Sequence, residues 1–413
     1  MVRESGQDPT VKHQSAPPGA ISRRQAITNL CATSAGLLGT PFINRNRYHS
    51  LPGIPQDYSA RAVRLVQDNL VIDLLNQFRF QDFADDPVKA DFWRTHPHEF
   101  TVVDFEEYRT SGMNVFALGH ARQSFEDAVQ FFAEWNSFIA QHDQWFKRID
   151  DPQDFDAVKQ DDRIGILLSF QDSQHFRSAD DIDVFFGMGQ RISQLTYNYS
   201  NGLGSGFLER TDGGLTEAGD GVIRRMNEVG MAVDLSHCGD RTTLEGLEAT
   251  DHPALFTHAT CRALVPNAPR CKTDEMIRAL ADTGGVMGIA FLRFMIRDRE
   301  PVTIEHVLDH FEHVARLVGV DHLAIGSDMD LVGNPNPVGR PGAAPSDTTG
   351  RPNWERYRVH TDDGGRITIR GLDHAKRIYD LTEGLIRRSF SDEDISLILG
   401  GNARRVLAQI WST

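Results

Sequence analysis

Eight short runs rich in β-branched and other apolar residues punctuate this chain, and each stops at or just before a polar or ring-bearing residue. They are N-L-V-I-D (69–73), G-M-N-V-F-A-L (112–118), I-G-I-L-L-S-F (164–170), I-S-Q-L-T (192–196), M-A-V-D-L (231–235), A-L-F-T (254–257), G-V-M-G-I-A-F (285–291) and H-L-A-I-G (322–326). Between most of them lie segments with helical periodicity, such as G-D-G-V-I-R-R-M-N-E-V-G (219–230) and D-E-M-I-R-A-L-A-D-T-G (274–284). Strands alternating with helices call for a parallel sheet, and eight such units favour closure into a (β/α)8 barrel. An open doubly wound sheet is the competing arrangement. It lacks its glycine signature, because no G-x-G-x-x-G follows the first run and G-L-G-S-G (202–206) comes too late.

The polar or ring-bearing residues that follow the runs matter because catalytic residues of such barrels project from the C-terminal ends of the strands. Here they are His120, Gln171, Tyr197, His237, His258 and Asp328. His237 and His258 follow successive runs, so the barrel brings two imidazoles to one rim, a favourable arrangement for one divalent metal. A histidine in isolation is more often a structural hydrogen-bonder. Asp328 offers a carboxylate to bind metal or move a proton, although aspartate at such a place also caps the loop that follows.

Composition narrows the partners. The chain has 413 residues, 40% of them hydrophobic, enough for one large barrel with additions. A net charge of −15 argues against a surface that tracks phosphates, so small molecules rather than nucleic acids are the expected ligands.

Residues 1–56 read as a leader and linker, with the barrel expected over 57–413. Within the leader, S-R-R-Q-A-I-T (22–28) precedes the weakly apolar L-C-A-T-S-A-G-L-L-G (30–39), the pattern of a twin-arginine export signal leading to the periplasm. Later segments fall short of the about 18 consecutive apolar residues of a membrane helix. Cys238, Cys261 and Cys271 have no C-x-x-C spacing, and an odd number does not suit a disulfide framework, although one pair could form. The Pro- and Gly-rich stretch 332–352 reads as a long loop placed to wall the mouth.

Several stretches together resemble the membrane, or renal-type, dipeptidases, binuclear zinc peptidases on a barrel fold. They include L-T-Y-N (195–198), G-L-T-E-A-G (214–219), M-N-E-V-G-M-A-V-D-L-S-H (226–237), F-T-H-A-T (256–260), A-I-G-S-D-M-D (324–330) and G-G-N-A-R-R-V-L (400–407). The resemblance runs in the family's order from about residue 70 to 407. It implies that His237 and His258 bind one zinc, that Arg270 receives the substrate carboxylate, and that Asp328 assists proton transfer. Barrels of this family often pair, which makes a homodimer an expectation of the same kind.

The departures are as specific as the matches. Where the family carries D-G-H-N-D on its first strand, this chain has Asp73, Leu74, Leu75, Asn76 and Gln77, so a histidine and an aspartate ligand are replaced by Leu75 and Gln77. The bridging glutamate falls at Gln171, which leaves that residue a doubtful ligand, and the substrate-polarising histidine falls at Tyr197. Two dications about 3.7 Å apart repel by roughly 18 kcal/mol at an effective dielectric near 20, and anionic ligands must offset that. With those ligands replaced, at most one zinc is expected. Asp172, His175 and Cys238 lie beside matched positions, but neighbouring residues of a strand point to opposite faces.

Three functions are compatible with this pattern. The first is an exported mononuclear metallohydrolase acting on a dipeptide or related small amide, with Asp328 and Tyr197 catalytic and Arg270, Tyr197 and His120 binding substrate. The second keeps the barrel for elimination, isomerisation or maturation of a secreted metabolite. The third is a non-catalytic binding or accessory protein.

Overall fold

The computed structural model describes residues 48–50, 57–77, 97–121, 124–331 and 369–412. Strands β1 (Tyr48–Ser50) and β2 (Asp57–Ser59) form an antiparallel pair, so strand pairing begins ahead of residue 57. The export motif and the 332–352 stretch lie outside the described residues.

The main sheet contains β3 (Ile72–Asn76), β4 (Val115–Leu118), β5 (Phe146–Arg148), β6 (Ile164–Leu167), β7 (Ser169–Phe170), β8 (Ile192–Gln194), β9 (Ala232–Asp234), β10 (Leu255–Ala259), β11 (Val286–Ile289) and β12 (Leu323–Ile325). Its order is β5-β6-β4-β3-β12-β11-β10-β9-β8-β7, parallel throughout. Because β6 and β7 are two halves of one run, separated only by Leu168, the two ends of that order meet and the sheet closes. Eight strands form the ring, and β5 flanks it. All eight runs read from the sequence are ring strands. The third is broken at Leu168 because its first half pairs with β4 and its second with β8. The fold is a (β/α)8 barrel.

Local signals account for the helices. In Glu217–Val229 the Thr216 side chain accepts a bond from the Gly219 amide, Val222, Ile223 and Met226 are buried, and Gly230 ends the helix at φ +78°. Thr273 caps Asp274–Asp282 in the same way, with Met276, Ile277 and Leu280 buried.

Every ring strand contributes to one apolar cluster, exemplified by Ile72, Val115, Leu167, Ile192, Ala232, Leu255, Val286 and Ala324. This set fills the barrel interior, and Val406, Leu407 and Ile410 of helix Asn402–Ile410 pack onto it. One alternation further along the strands, the inward positions turn polar, with Gln194, Asp234 and Thr257 all buried. Glycine narrows the barrel at this level. A Cβ at Gly326 falls 1.7 Å from the Thr257 carbonyl oxygen, and one at Gly288 falls 2.1 Å from it. Side chains at either position exclude that approach.

Candidate metal and substrate site

Two register shifts shape the mouth. Phe256 pairs with Met287 and Ala259 with Ile289, so β10 carries one residue more than its partner around Thr257 and His258. Such a bulge re-aims side chains, and here it lets both adjacent residues bond inside the barrel. β3 has the same irregularity between Asp73 and Asn76, where Leu74 and Leu75 lie.

The Thr257 hydroxyl donates to Asp234 Oδ2 at 2.6 Å and lies 2.8 Å from His258 Nδ1. With its one proton committed to the carboxylate, the hydroxyl accepts from Nδ1–H, which leaves the His258 Nε2 lone pair facing the mouth. His237 follows the same logic. Its Nδ1 lies 2.8 Å from Asn198 Oδ1, an acceptor, so its Nε2 also carries the lone pair. The two Nε2 atoms meet at 2.8 Å. Burial holds both imidazoles well below their ordinary titration range, and the Arg270 guanidinium adds to this, so both are neutral. Two lone pairs at that distance repel unless a proton or cation lies between them. Paired neutral imidazoles with fixed tautomers are the donor set of a divalent transition metal, so these residues fit one such ion.

They do not supply the ligands for two. Gln171 places its amide nitrogen 3.2 Å from His258 Nε2, a neutral group where a bridging carboxylate is needed. Leu75 is buried and apolar, and Gln77 donates to Asp328 Oδ1. Among the described residues, no three His, Cys, Asp or Glu side chains are grouped to hold a metal.

Asp328 sits at φ +57°, a left-handed conformation uncommon for a residue other than glycine, and its amide bonds the Leu75 carbonyl at 2.9 Å. The turn is anchored from β3. Asp73, fully buried, accepts from the Ser327 amide at 2.7 Å, from the Ser327 hydroxyl, and from Asn76 Nδ2. The Tyr197 ring stacks on His237, with centroids 4.5 Å apart and planes 22° from parallel.

Arg270 is buried, and its two terminal nitrogens donate to the carbonyls of Ser236 (2.6 Å) and His258 (2.7 Å). It therefore braces the backbone beside both histidines. Of the guanidinium's five N–H donors, those two bonds use two. His120 stands at the end of β4 and bridges Phe170, next to Gln171, but its ring packs on Phe131 at 5.1 Å.

The three neighbours of matched positions are engaged elsewhere. Asp172 accepts from Asn201, and burial pushes its carboxyl up to about 6. His175 is packed among Phe170, Phe176 and Phe185. Cys238 receives the Thr196 hydroxyl at 3.2 Å, and it, Cys261 and Cys271 are buried free thiols.

Sequence reading passed over Asn198, Asp234, Thr257 and Lys272. The first three fix the imidazole tautomers, and their positions beside the histidine motifs, in L-T-Y-N, D-L-S-H and F-T-H, were the available signal. Lys272 is 2% exposed, and burial pushes its ammonium down to about 7. A lysine within R-C-K-T-D gives no sign of that from sequence.

Comparison with known proteins agrees with this fold. The chain matches the membrane dipeptidase family (peptidase family M19) over residues 58–338 and 360–413. It is 30% identical over 231 residues to dipeptidase verJ of Clonostachys rogersoniana, covering 54% of this chain and 50% of that protein. It is 29% identical over 198 residues to dipeptidase tcpJ of Claviceps purpurea, covering 48% and 39%. The chain thus spans about half the length of these curated relatives, or less. Among solved structures, an amidohydrolase from Pseudomonas aeruginosa superposes with a TM-score of 0.70 at 25% identity, over 85% of this chain and 99% of that one. A metallo peptidase from Rhodobacter sphaeroides, liganded with a phosphinate mimic of the dipeptide L-Ala-D-Ala, shares the fold at 18% identity and a TM-score of 0.62, over 83% and 100%. The extent of the family match, far more than half of the chain, shows that this protein belongs to the membrane dipeptidase family.

Proposed function

We propose that this protein is an exported metallohydrolase that cleaves a dipeptide or related small amide bearing a free carboxylate, using at most one zinc ion held by His237 and His258. The observation that carries this reading is the convergence of two neutral Nε2 lone pairs at 2.8 Å, with the uncharged Gln171 amide 3.2 Å from one of them. Zinc at that position supplies a Lewis acid toward a carbonyl and lowers the pKa of water beside it.

The remaining roles belong to the chain's own groups. Asp328 takes the proton as water attacks and returns it to the departing amine. The Gln77 amide, donating to Asp328 Oδ1, aims that carboxylate. Arg270 directs its remaining N–H groups at the substrate carboxylate while its terminal nitrogens brace the two histidine backbones. Tyr197 covers one face of His237, and with His120 it lines the substrate side. The pair Arg23 and Arg24 supports export by the twin-arginine route to the periplasm, with residues 1–56 as leader and linker and 57–413 as the catalytic barrel. No helix among the described residues is long and apolar enough to cross a membrane.

The test is elemental analysis of protein purified without chelator, combined with dipeptide hydrolysis. One equivalent of zinc or less is expected, lost in the double variant His237→Ala/His258→Ala, with turnover well below the roughly 10 s⁻¹ of a typical enzyme. Asp328→Asn should retain zinc and abolish turnover. Two equivalents of zinc, or rapid hydrolysis by the unaltered chain, overturns the reduced site.

A further inference from the structure

Behind the two histidines, the loop after β10 returns with Arg270 and Lys272 two residues apart. Its backbone is tied to the end of β10: the Lys272 amide donates to the Thr260 carbonyl and the Arg262 amide to the Lys272 carbonyl, both at 2.8 Å. Its side chains reach instead to the end of β9. Lys272 Nζ donates to the carbonyls of Leu235 (2.7 Å) and Cys238 (3.1 Å) and to Thr243 Oγ1 (2.9 Å), and stands over the Phe256 ring at 4.9 Å. An ammonium has three N–H donors, and three acceptors receive them.

We infer that Lys272 is a positioning residue for His237, one half of a cationic clamp, with Arg270, that sets the separation of the two imidazoles. The lysine holds the carbonyls two residues before and one residue after His237, and the arginine holds the carbonyls of Ser236 and His258. The tie from Lys272 to Thr260 makes the histidine-bearing ends of β9 and β10 move as one piece. Without the lysine, the Leu235 and Cys238 carbonyls keep only the Cys238 amide and the Thr243 hydroxyl as donors, and the loosened turn lets His237 drift from Asn198 and from His258. Arg270 alone cannot replace it, because Arg270 grips the turn at one carbonyl only.

Where the clamp is said to serve a metal, the inference rests on the function proposed above, so its test has one arm that needs no metal. Lys272→Met keeps the apolar stem and removes the three donors. In protein labelled with ¹⁵N-histidine and free of metal, the slowly exchanging Nδ1–H of His237 should be visible in the parent chain and lost or strongly broadened in Lys272→Met. In the second arm, zinc affinity measured by competition with a chelating dye should weaken about 10- to 100-fold, as when an outer partner of a metal ligand is removed. Cobalt(II) in place of zinc should show an altered visible spectrum.

Asn402→Ala, which removes a buried amide bonded to the Val320 and Leu323 carbonyls at the far end of the barrel, is the control for lost stability. It should leave both the His237 signal and the zinc affinity within twofold of the parent. An unchanged His237 signal in Lys272→Met, or equal zinc weakening by the two variants, overturns the clamp. Failure of the parent chain to bind zinc or cobalt overturns the metal reading alone, and the histidine signal then decides the clamp by itself.

Discussion

Acidification should unlock this barrel at His310, a group remote from the proposed chemistry. His310 lies on helix Ile304–Val318, wholly buried, with Nδ1 accepting from the Cys261 amide at 3.0 Å and Nε2–H donating to the Ile296 carbonyl at 3.1 Å. A second proton at Nδ1 would face the Cys261 N–H, and burial holds the imidazole down at about 4. In the unfolded chain it titrates near 6.5. Between pH 6.5 and 4 the unfolded state therefore binds the proton and the folded state does not, so stability falls as pH falls through this window. At roughly 1.4 kcal/mol per pH unit the loss is about 3 kcal/mol, a substantial part of a typical 5–15 kcal/mol. His175, also held at about 4 by burial, adds a loss of the same sign and size. Asp172 opposes it: with its carboxyl raised from 3.8 to about 6, the folded state takes its proton first, adding about 3 kcal/mol as pH falls from 6 to 3.8. His175 and Asp172 therefore nearly cancel, while His237 and His258, both held well below their ordinary range, add losses of the same sign as His310, whose own share is read as the difference between parent and variant. Urea unfolding at pH 7 and pH 4 should show a loss in the parent chain about 3 kcal/mol larger than in His310→Gln, whose amide does not titrate. Parallel pH dependence in the two proteins would refute the reasoning.

Three further outcomes are expected. Restoring His at 75, Asp at 77 and Glu at 171 together should raise zinc content from at most one to two equivalents by elemental analysis, while the single reversions change little, since ligands that act as a unit are not additive. Thr257→Val keeps the shape but takes the hydroxyl from Asp234 Oδ2 and the acceptor from His258 Nδ1–H, at roughly 1–3 kcal/mol for each buried group left unpaired, read by thermal or urea unfolding. It should also weaken zinc binding about 10- to 100-fold. Gly326→Ala forces a methyl onto the Thr257 carbonyl and should cost about 1–3 kcal/mol or prevent folding, visible as lost soluble protein or a lowered unfolding midpoint.

The barrel was legible because its strands are buried on both sides and so read as continuous apolar runs, each ending in a distinct residue. The pairing of His237 with His258 was legible for the same reason, since consecutive parallel strands are neighbours. The means of holding them was not. A bulge on β10 leaves no glycine or proline to announce it, and the acceptors that fix the two tautomers are ordinary Asn, Thr and Asp residues whose burial depends on closure of the ring. Arg270 illustrates a second limit. Motif position, which proposes it for the substrate carboxylate, gives no sign of the bonds that its terminal nitrogens make to the protein backbone. The β1–β2 pair escaped notice because three-residue strands are too short to show alternation.

The extra residue in β10 separates what keeps the barrel from what gives it chemistry. Closure of the ring depends on a ladder that tolerates one residue more or fewer on a strand, whereas the bond from Thr257 to His258 depends on that count. Deleting Thr257 would restore an even alternation with His258 in the inward place of the threonine, leaving a folded shell whose imidazole has lost the hydroxyl that fixes its tautomer. One deletion would thus take away the support of the imidazole and leave the ladder standing.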